Sequence, residues 1–247
     1  MIAARLAAGA AVVSVDLAVE FEVSEDAIRR DLRALADEGQ CRRVYGGALP
    51  LTQQALPMQA RIDLAPGRKK ALARRAAESI LAGEFLFLDA GSTNLALAGY
   101  LPDDKELTVA TNSIDIASAV LRRPDLRLVM IGGMVDPTVG GCIDAAAVQS
   151  VSHLNIDRCF LGACSVDAER GIGAEVHADA VFKRALLGSA RHCVAMVTNE
   201  KFGIRAPHRV CPLSEVDLLI VEHDAAAAAL RSLRTAGVEF AKAHRTD

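Results

Sequence analysis

From Ser14 to Phe21 the apolar positions Val15, Leu17, Ala18 and Phe21 recur at near-helical spacing. Glu22-Val23-Ser24 interrupts them before a second pattern, Ile28, Leu32 and Leu35 at i, i+4 and i+7. Two short helices at a sharp angle are predicted. Ser24 is the expected N-cap of the second, with Glu25 and Asp26 at the positive end of its dipole and Gly39 at its end. The apolar stripe faces a core, so Arg29, Arg30 and Arg33 project from the outer side, and Arg42-Arg43-Val44-Tyr45-Gly46-Gly47 follows as a basic hairpin. Met1 to Gly9 reads as a shortened first helix. Pro50, Pro57 and Pro66 with Gln53 and Gln54 then mark a connecting segment, 51–67.

From Arg68 onward the pattern changes to continuous apolar runs alternating with helical ones. FLFLDAG, ELTVATN, LRLVMIGG, RCFLGACSVD, HCVAMVTNE and VDLLIVEHD read as strands. RKKALARRAAESILAG, TNLALAGYL, SIDIASAVLRR, DAAAVQSVSHL, HADAVFKRALLGSA and DAAAAALRSLRTAG read as helices between them. The expectation is an α/β protein: a small winged helix-turn-helix domain over 1–50, then a mostly parallel sheet covered on both faces over 68–247.

Composition narrows what such a chain does. Its 247 residues are 51% hydrophobic, enough for two cores, yet no apolar run approaches the ~20 residues of a membrane span, and the start lacks a signal-peptide plan. A cytoplasmic protein with no membrane partner is expected. The six cysteines show neither CxxC pairing nor histidines at metal spacing, so they read as reduced packing residues, with no metal or cofactor implied. Net charge is −3, and residues 1–50 carry six arginines against eight acids. Any nucleic-acid surface is therefore local: five of those arginines fall between Arg29 and Arg43. With no Trp and few aromatics, duplex DNA is the expected target rather than a single strand. Ser24 is counted with the DNA-binding residues; Arg29, Arg30 and Arg33 are assigned to base or phosphate contacts, and Arg42 and Arg43 to phosphates.

In parallel sheets ligands sit beyond the carboxyl ends of the strands. The first strand runs into Asp89-Ala90-Gly91-Ser92-Thr93-Asn94 immediately before a helix, a turn that offers free amides and two hydroxyls to an anion such as a phosphate. The next ends in Thr111-Asn112-Ser113, and the third in Gly132-Gly133, where absent side chains permit close approach. One such turn signals little more than a capped helix; its repetition at successive strand ends predicts a pocket.

The ordered set VSEDAIRRDLRALADEGQCRRVYGGAL resembles the N-terminal signature of the DeoR family of bacterial transcriptional regulators. LDAGSTN, TVATNS, the Gly-Gly after LVMI and a late Lys-Phe-Gly extend the resemblance to that family's effector domain, which is similar to ribose-5-phosphate isomerase and binds phosphorylated sugars. The resemblance implies a homodimeric or homotetrameric repressor of operator DNA controlled by a sugar phosphate. Asp89, Gly91, Ser92 and Thr93 would cradle the ligand, Thr111, Asn112 and Ser113 would contact it, Gly132 and Gly133 would admit it, and Lys183 and Lys201 would supply positive charge. Plainer roles are a solvated helix residue for Lys183 and a loop cation for Lys201. Thr198 and Glu200 depart from the commoner Asp and Ser of the family. The competing class is a sugar-phosphate isomerase, with Asp89, Asp167 and Glu175 as bases and Lys183 as electrophile; no spacing defines an acid and base pair for it.

Overall fold

The computed structural model describes residues 1–7, 11–37, 41–50 and 56–245 and divides into two compact units, Met1–Leu56 and Pro57–Asp247.

The first unit contains α1 (Ile2–Ala7), β1 (Val12–Val13), α2 (Ser14–Glu20), α3 (Glu25–Asp37), β2 (Cys41–Val44) and β3 (Gly47–Pro50). Ile28 and Leu32 of α3 pack with Ile2, Leu6 and Leu17 as the periodicity requires, and Leu35 joins them partly buried. The Ser24 hydroxyl accepts from Ala27 N at 3.2 Å and caps α3. Gly39 lies outside the described residues. β2 and β3 form an antiparallel hairpin turning at Gly46, whose φ of +82° suits glycine. β1 closes the small sheet on β3, and Val12 O approaches Gly47 so closely that a Cβ there would stand 2.0 Å from it.

The second unit runs α4 (Met58–Ile62), α5 (Pro66–Ala77), β4 (Phe85–Leu88), α6 (Ser92–Ala98), β5 (Thr108–Thr111), α7 (Ile114–Leu121), β6 (Arg127–Met130), β7 (Val135–Asp136), β8 (Gly141–Cys142), α8 (Ala145–Ser152), β9 (Ile156–Leu161), β10 (Ser165–Asp167), β11 (Gly171–Ala174), α9 (His177–Ser189), β12 (Ala190–Val197), β13 (His208–Cys211), β14 (Leu218–Val221), α10 (Ala227–Thr235) and β15 (Phe240–Lys242). Seven strands form one parallel sheet in the order β15-β14-β12-β9-β4-β5-β6. The alternation of side chains explains its apolar runs: Phe87 enters the core on one face, Leu86 and Leu88 the core on the other. The chain builds outward from β4 to β6, then returns to β9 and builds the other way. The switch point is therefore the crevice beyond the carboxyl ends of β4 and β9.

Two differences from the sequence reading matter for the site. RCFLGACSVD, expected as one strand, is two: β9 stops at Leu161, and after Gly162 the chain leaves the parallel sheet for an antiparallel one, β10-β11-β13. Phe160, Leu161, Ala163 and Val166 are buried on both sides of Gly162, so the run of apolar residues alone did not show the break. Residues 57–67, placed in the connecting segment, belong to the second unit, where Met58 is buried against Gly140 and α4 packs on α6. Residues 51–55 lie outside the described residues.

Candidate functional site

At the switch point the Asp89 side chain is fully buried. Its Oδ2 accepts from Gly162 N at 2.8 Å and lies 3.0 Å from Lys183 Nζ, while its Oδ1 has no hydrogen-bond partner. Lys183 projects from α9, where Asp179, one turn earlier, also accepts from its ammonium; Lys183 and Asp179 are both buried. Burial opposes the Lys183 charge, but the Asp179 and Asp89 carboxylates outweigh it and hold its pKa above the ordinary value. One cation between two carboxylates leaves an excess buried negative charge, and burial accordingly raises the Asp89 pKa.

Further cations gather around this triad. Arg61 of α4 donates to Thr138 O at 2.9 Å and Val139 O at 3.1 Å, and its buried Nε has no partner. Lys69 of α5 is buried and donates to the Arg61 carbonyl; burial, with Lys201 close by, holds its pKa down to about 8. Lys201 ends the 3-10 turn Asn199–Lys201 and lies within electrostatic reach of Arg61 and Lys183, and burial lowers its pKa. Glu200 tempers this field: its Oε1 accepts from the buried Thr198 hydroxyl at 2.6 Å, and its charge acts on Lys69 and Lys201.

The remaining sequence-predicted residues divide by their partners. Gly91, in extended conformation, precedes α6, whose first-turn amides have no intrahelical acceptor; Ser92 is half-buried and Thr93 buried there. The Thr111 hydroxyl donates to Leu88 O at 2.7 Å, spending its one proton on joining the ends of β4 and β5. Asn112 clasps three segments, accepting from Ala90 N at 2.9 Å and donating to Cys142 O at 3.1 Å. Ser113 is buried beside the bridge to Gly141, its hydroxyl unpartnered. Gly132 and Gly133 are exposed after the edge strand β6. Gly133 makes room for Asp144: a Cβ there would stand 2.5 Å from that carboxylate, which accepts from Met134 N and caps α8 through Ala147 N. The structure thus brings Asp89, Lys183 and Lys201 together. Asp167, a base in the isomerase reading, instead accepts from Glu169 N and Arg170 N in the turn between β10 and β11.

Sequence reasoning missed Gly162, Asp179, Arg61 and Lys69. Asp179 and Lys183 carried a usable signal, an opposite-charge i, i+4 pair on the apolar side of a helix. Arg61 and Lys69 had none, because only the fold brings α4 and α5 to the switch point.

In the first unit Arg29, Arg30 and Arg33 are exposed on α3. Arg29 pairs with Glu25 at 2.7 Å and approaches Asp26 at 4.0 Å; among the described residues Arg30 and Arg33 make no ion pair. Arg43 is exposed on the hairpin, and the Arg42 side chain lies outside the described residues. Arg5 of α1 pairs with Glu20 of α2 and lies 5.7 Å from the centre of the Phe21 ring, tying the first helix to the pair.

Comparison with known proteins agrees with these two parts. Residues 5–54 match the model of the DeoR-like helix-turn-helix domain, and residues 65–223 that of the DeoR C terminal sensor domain. The glycerol-3-phosphate regulon repressor of Escherichia coli is 31% identical over 84% of this chain and 82% of its own length. The HTH-type transcriptional regulator GlpR of Haloferax volcanii is 30% identical over 87% of this chain and 85% of its own. Among solved structures, ribose 5 phosphate isomerase A from Neisseria gonorrhoeae is similar over 60% of this chain and 56% of its own, at 16% identity and a TM-score of 0.42, too distant to transfer a ligand.

Proposed function

The chain belongs to the DeoR family of transcriptional regulators, and from that membership we propose that it represses genes of sugar or carbohydrate metabolism under the control of a phosphorylated sugar bound at the Asp89–Lys183 site. Members of this family are DNA-binding proteins with a sensor domain, not enzymes. The observation that carries the effector reading is the convergence of Arg61, Lys69, Lys183 and Lys201 on the switch point, beside two buried oxygens without partners, Asp89 Oδ1 and Ser113 Oγ. Cations and α6 amides suit a phosphate; unpartnered oxygens in a buried setting suit sugar hydroxyls.

Control follows from connectivity. Arg61 and Lys69 sit on the first two helices after the boundary at Leu56, so a phosphate held by them acts on the chain that leads directly to the DNA-reading unit. An effector that binds two arrangements of that segment unequally shifts operator affinity. On the DNA side Arg30 and Arg33 enter the major groove and the β2–β3 hairpin meets the flanking backbone. A homodimer or homotetramer presents at least two such heads to a symmetric operator.

A thermal-shift series against pentose phosphates, hexose phosphates and glycerol 3-phosphate tests the reading, since binding to the native state alone raises the melting temperature. At least one phosphate is expected to stabilise the protein, and Ser92→Ala with Lys201→Ala to abolish that shift. No stabilisation by any phosphorylated compound, or an unaltered shift in the variant, overturns it.

A further inference from the structure

Helix α7 carries a self-complementary outer stripe, and we propose that it is the surface through which a second copy of this chain docks, α7 against α7 in antiparallel orientation. The assignment rests on the reading that the protein works as a homo-oligomer and names the face responsible.

The inner side of α7 is well buried through Ile116, Ala117 and Val120. Its outer side presents Ile114, 54% exposed, and Leu121, 72% exposed, with exposed Ser118 between them. At about 100° per residue these three form one stripe, and half-buried Asp115, which accepts from Gln59 Nε2 at 3.5 Å, and exposed Arg122, which donates to Ser118 Oγ at 3.2 Å, flank it on the same side. Two-fold pairing of antiparallel helices about Ser118 sets Ile114 against Leu121 of the other copy. It also sets Asp115 against Arg122 of the other copy, with axial positions matching to about 1.5 Å, and it does so twice. The small Ser118 sits at the crossing, and the helix dipoles oppose.

The neighbouring strand supports the same occupant. α7 packs on β5 and β6, and β6 is the last strand of the sheet, bonded to β5 alone. Met130 of β6 is 40% exposed and shares its face with Leu128, which packs in the α7 core, so it extends the apolar stripe at the sheet's open edge. Ile114 and Leu121 each leave more than half of their surface exposed in the monomer, whereas an isologous contact buries each of them against an apolar partner.

Sedimentation of the full chain decides the matter. The wild type is expected to be a dimer, or a tetramer that includes this contact. Asp115→Arg and Arg122→Asp each place like charges opposite one another and should raise the dissociation constant about 100-fold, with unchanged circular-dichroism melts of the monomer. Mixing the two variants restores opposite charges at both contacts and should recover the dimer; Leu121→Lys should dissociate it without rescue. A wild type that is monomeric while binding operator overturns the oligomer reading and this surface together. An oligomer untouched by the variants, or variants that dissociate without rescue on mixing, overturns the surface alone.

Discussion

The backbone N–H of Gly162 donates to Asp89 Oδ2 at 2.8 Å, and a Cβ at residue 162 would stand 2.9 Å from that oxygen and 3.0 Å from the Ala90 carbonyl. The ends of β9 and β4 approach so closely that only glycine leaves the carboxylate in place. Gly162→Ala is therefore expected to cost about 1–3 kcal/mol of stability, as overpacking does, and to remove effector-induced stabilisation. Thermal melts with and without sugar phosphate check both effects; an unchanged effector shift would separate Asp89 from ligand binding.

Lys183 pairs with two buried carboxylates and offsets only one of their charges, so its loss is a charge problem before it is a packing one. Lys183→Met should destabilise by about 3–5 kcal/mol, and adding Asp89→Asn should recover part of that by removing one uncompensated charge. Urea denaturation of the single and double variants measures the difference. Equal stability of the two would place the cost elsewhere.

The Lys69 pKa, held down to about 8 chiefly by burial, makes ligand binding depend on pH. The unfolded chain keeps this proton to higher pH than the folded one. The unfavourable contribution to stability is thus present in full below pH 8 and fades as pH rises toward the ordinary lysine value. A bound phosphate favours the charged amine. Effector affinity should be greatest below pH 8 and fall by up to about tenfold per pH unit above it, with the phosphate dianionic throughout. Calorimetry from pH 7 to 10 provides the check, and a flat profile would exclude Lys69 from the contact.

On α3, Arg29 is engaged by Glu25 whereas Arg30 and Arg33 are not. Arg30→Ala with Arg33→Ala should weaken operator binding more than Arg29→Ala does, and each lost phosphate contact should lower the salt slope by about one. Gel shifts across a salt series report both quantities. Arg29→Ala as the more damaging change would reverse the order.

Most helices and most sheet strands were legible because each depends on local periodicity: Ile28 and Leu32 repeat on one side of α3, and Phe85–Leu88 is apolar throughout because both faces of β4 are covered, whereas the five-residue α4 lies among prolines that read as a connecting segment. Asp89 stood out because a polar residue follows directly on the apolar strand β4, and it is buried there beside Lys183. Thr111 and Asn112 carried the same signal, yet their hydrogen bonds join strand ends and loops, a distinction that depends on which carbonyl lies opposite. Gly132 and Gly133 follow the edge strand β6, and that Gly133 leaves room for Asp144 is visible only in the fold.

By itself the sequence determined the two-part architecture, the arginine face of α3 and the strand-end turns, since capping, side-chain period and turn chemistry act over a few residues. Only the tertiary structure decided which of those turns meet. Strand order put β4 beside β9, joining Asp89 to Gly162 across 73 positions of chain, and the return of α4 and α5 brought Arg61 and Lys69 to a site to which no local pattern assigns them. The physical reason is burial: a carboxylate removed from water is tolerable only beside a cation, and the partner that supplies it is chosen by packing, not by proximity along the chain.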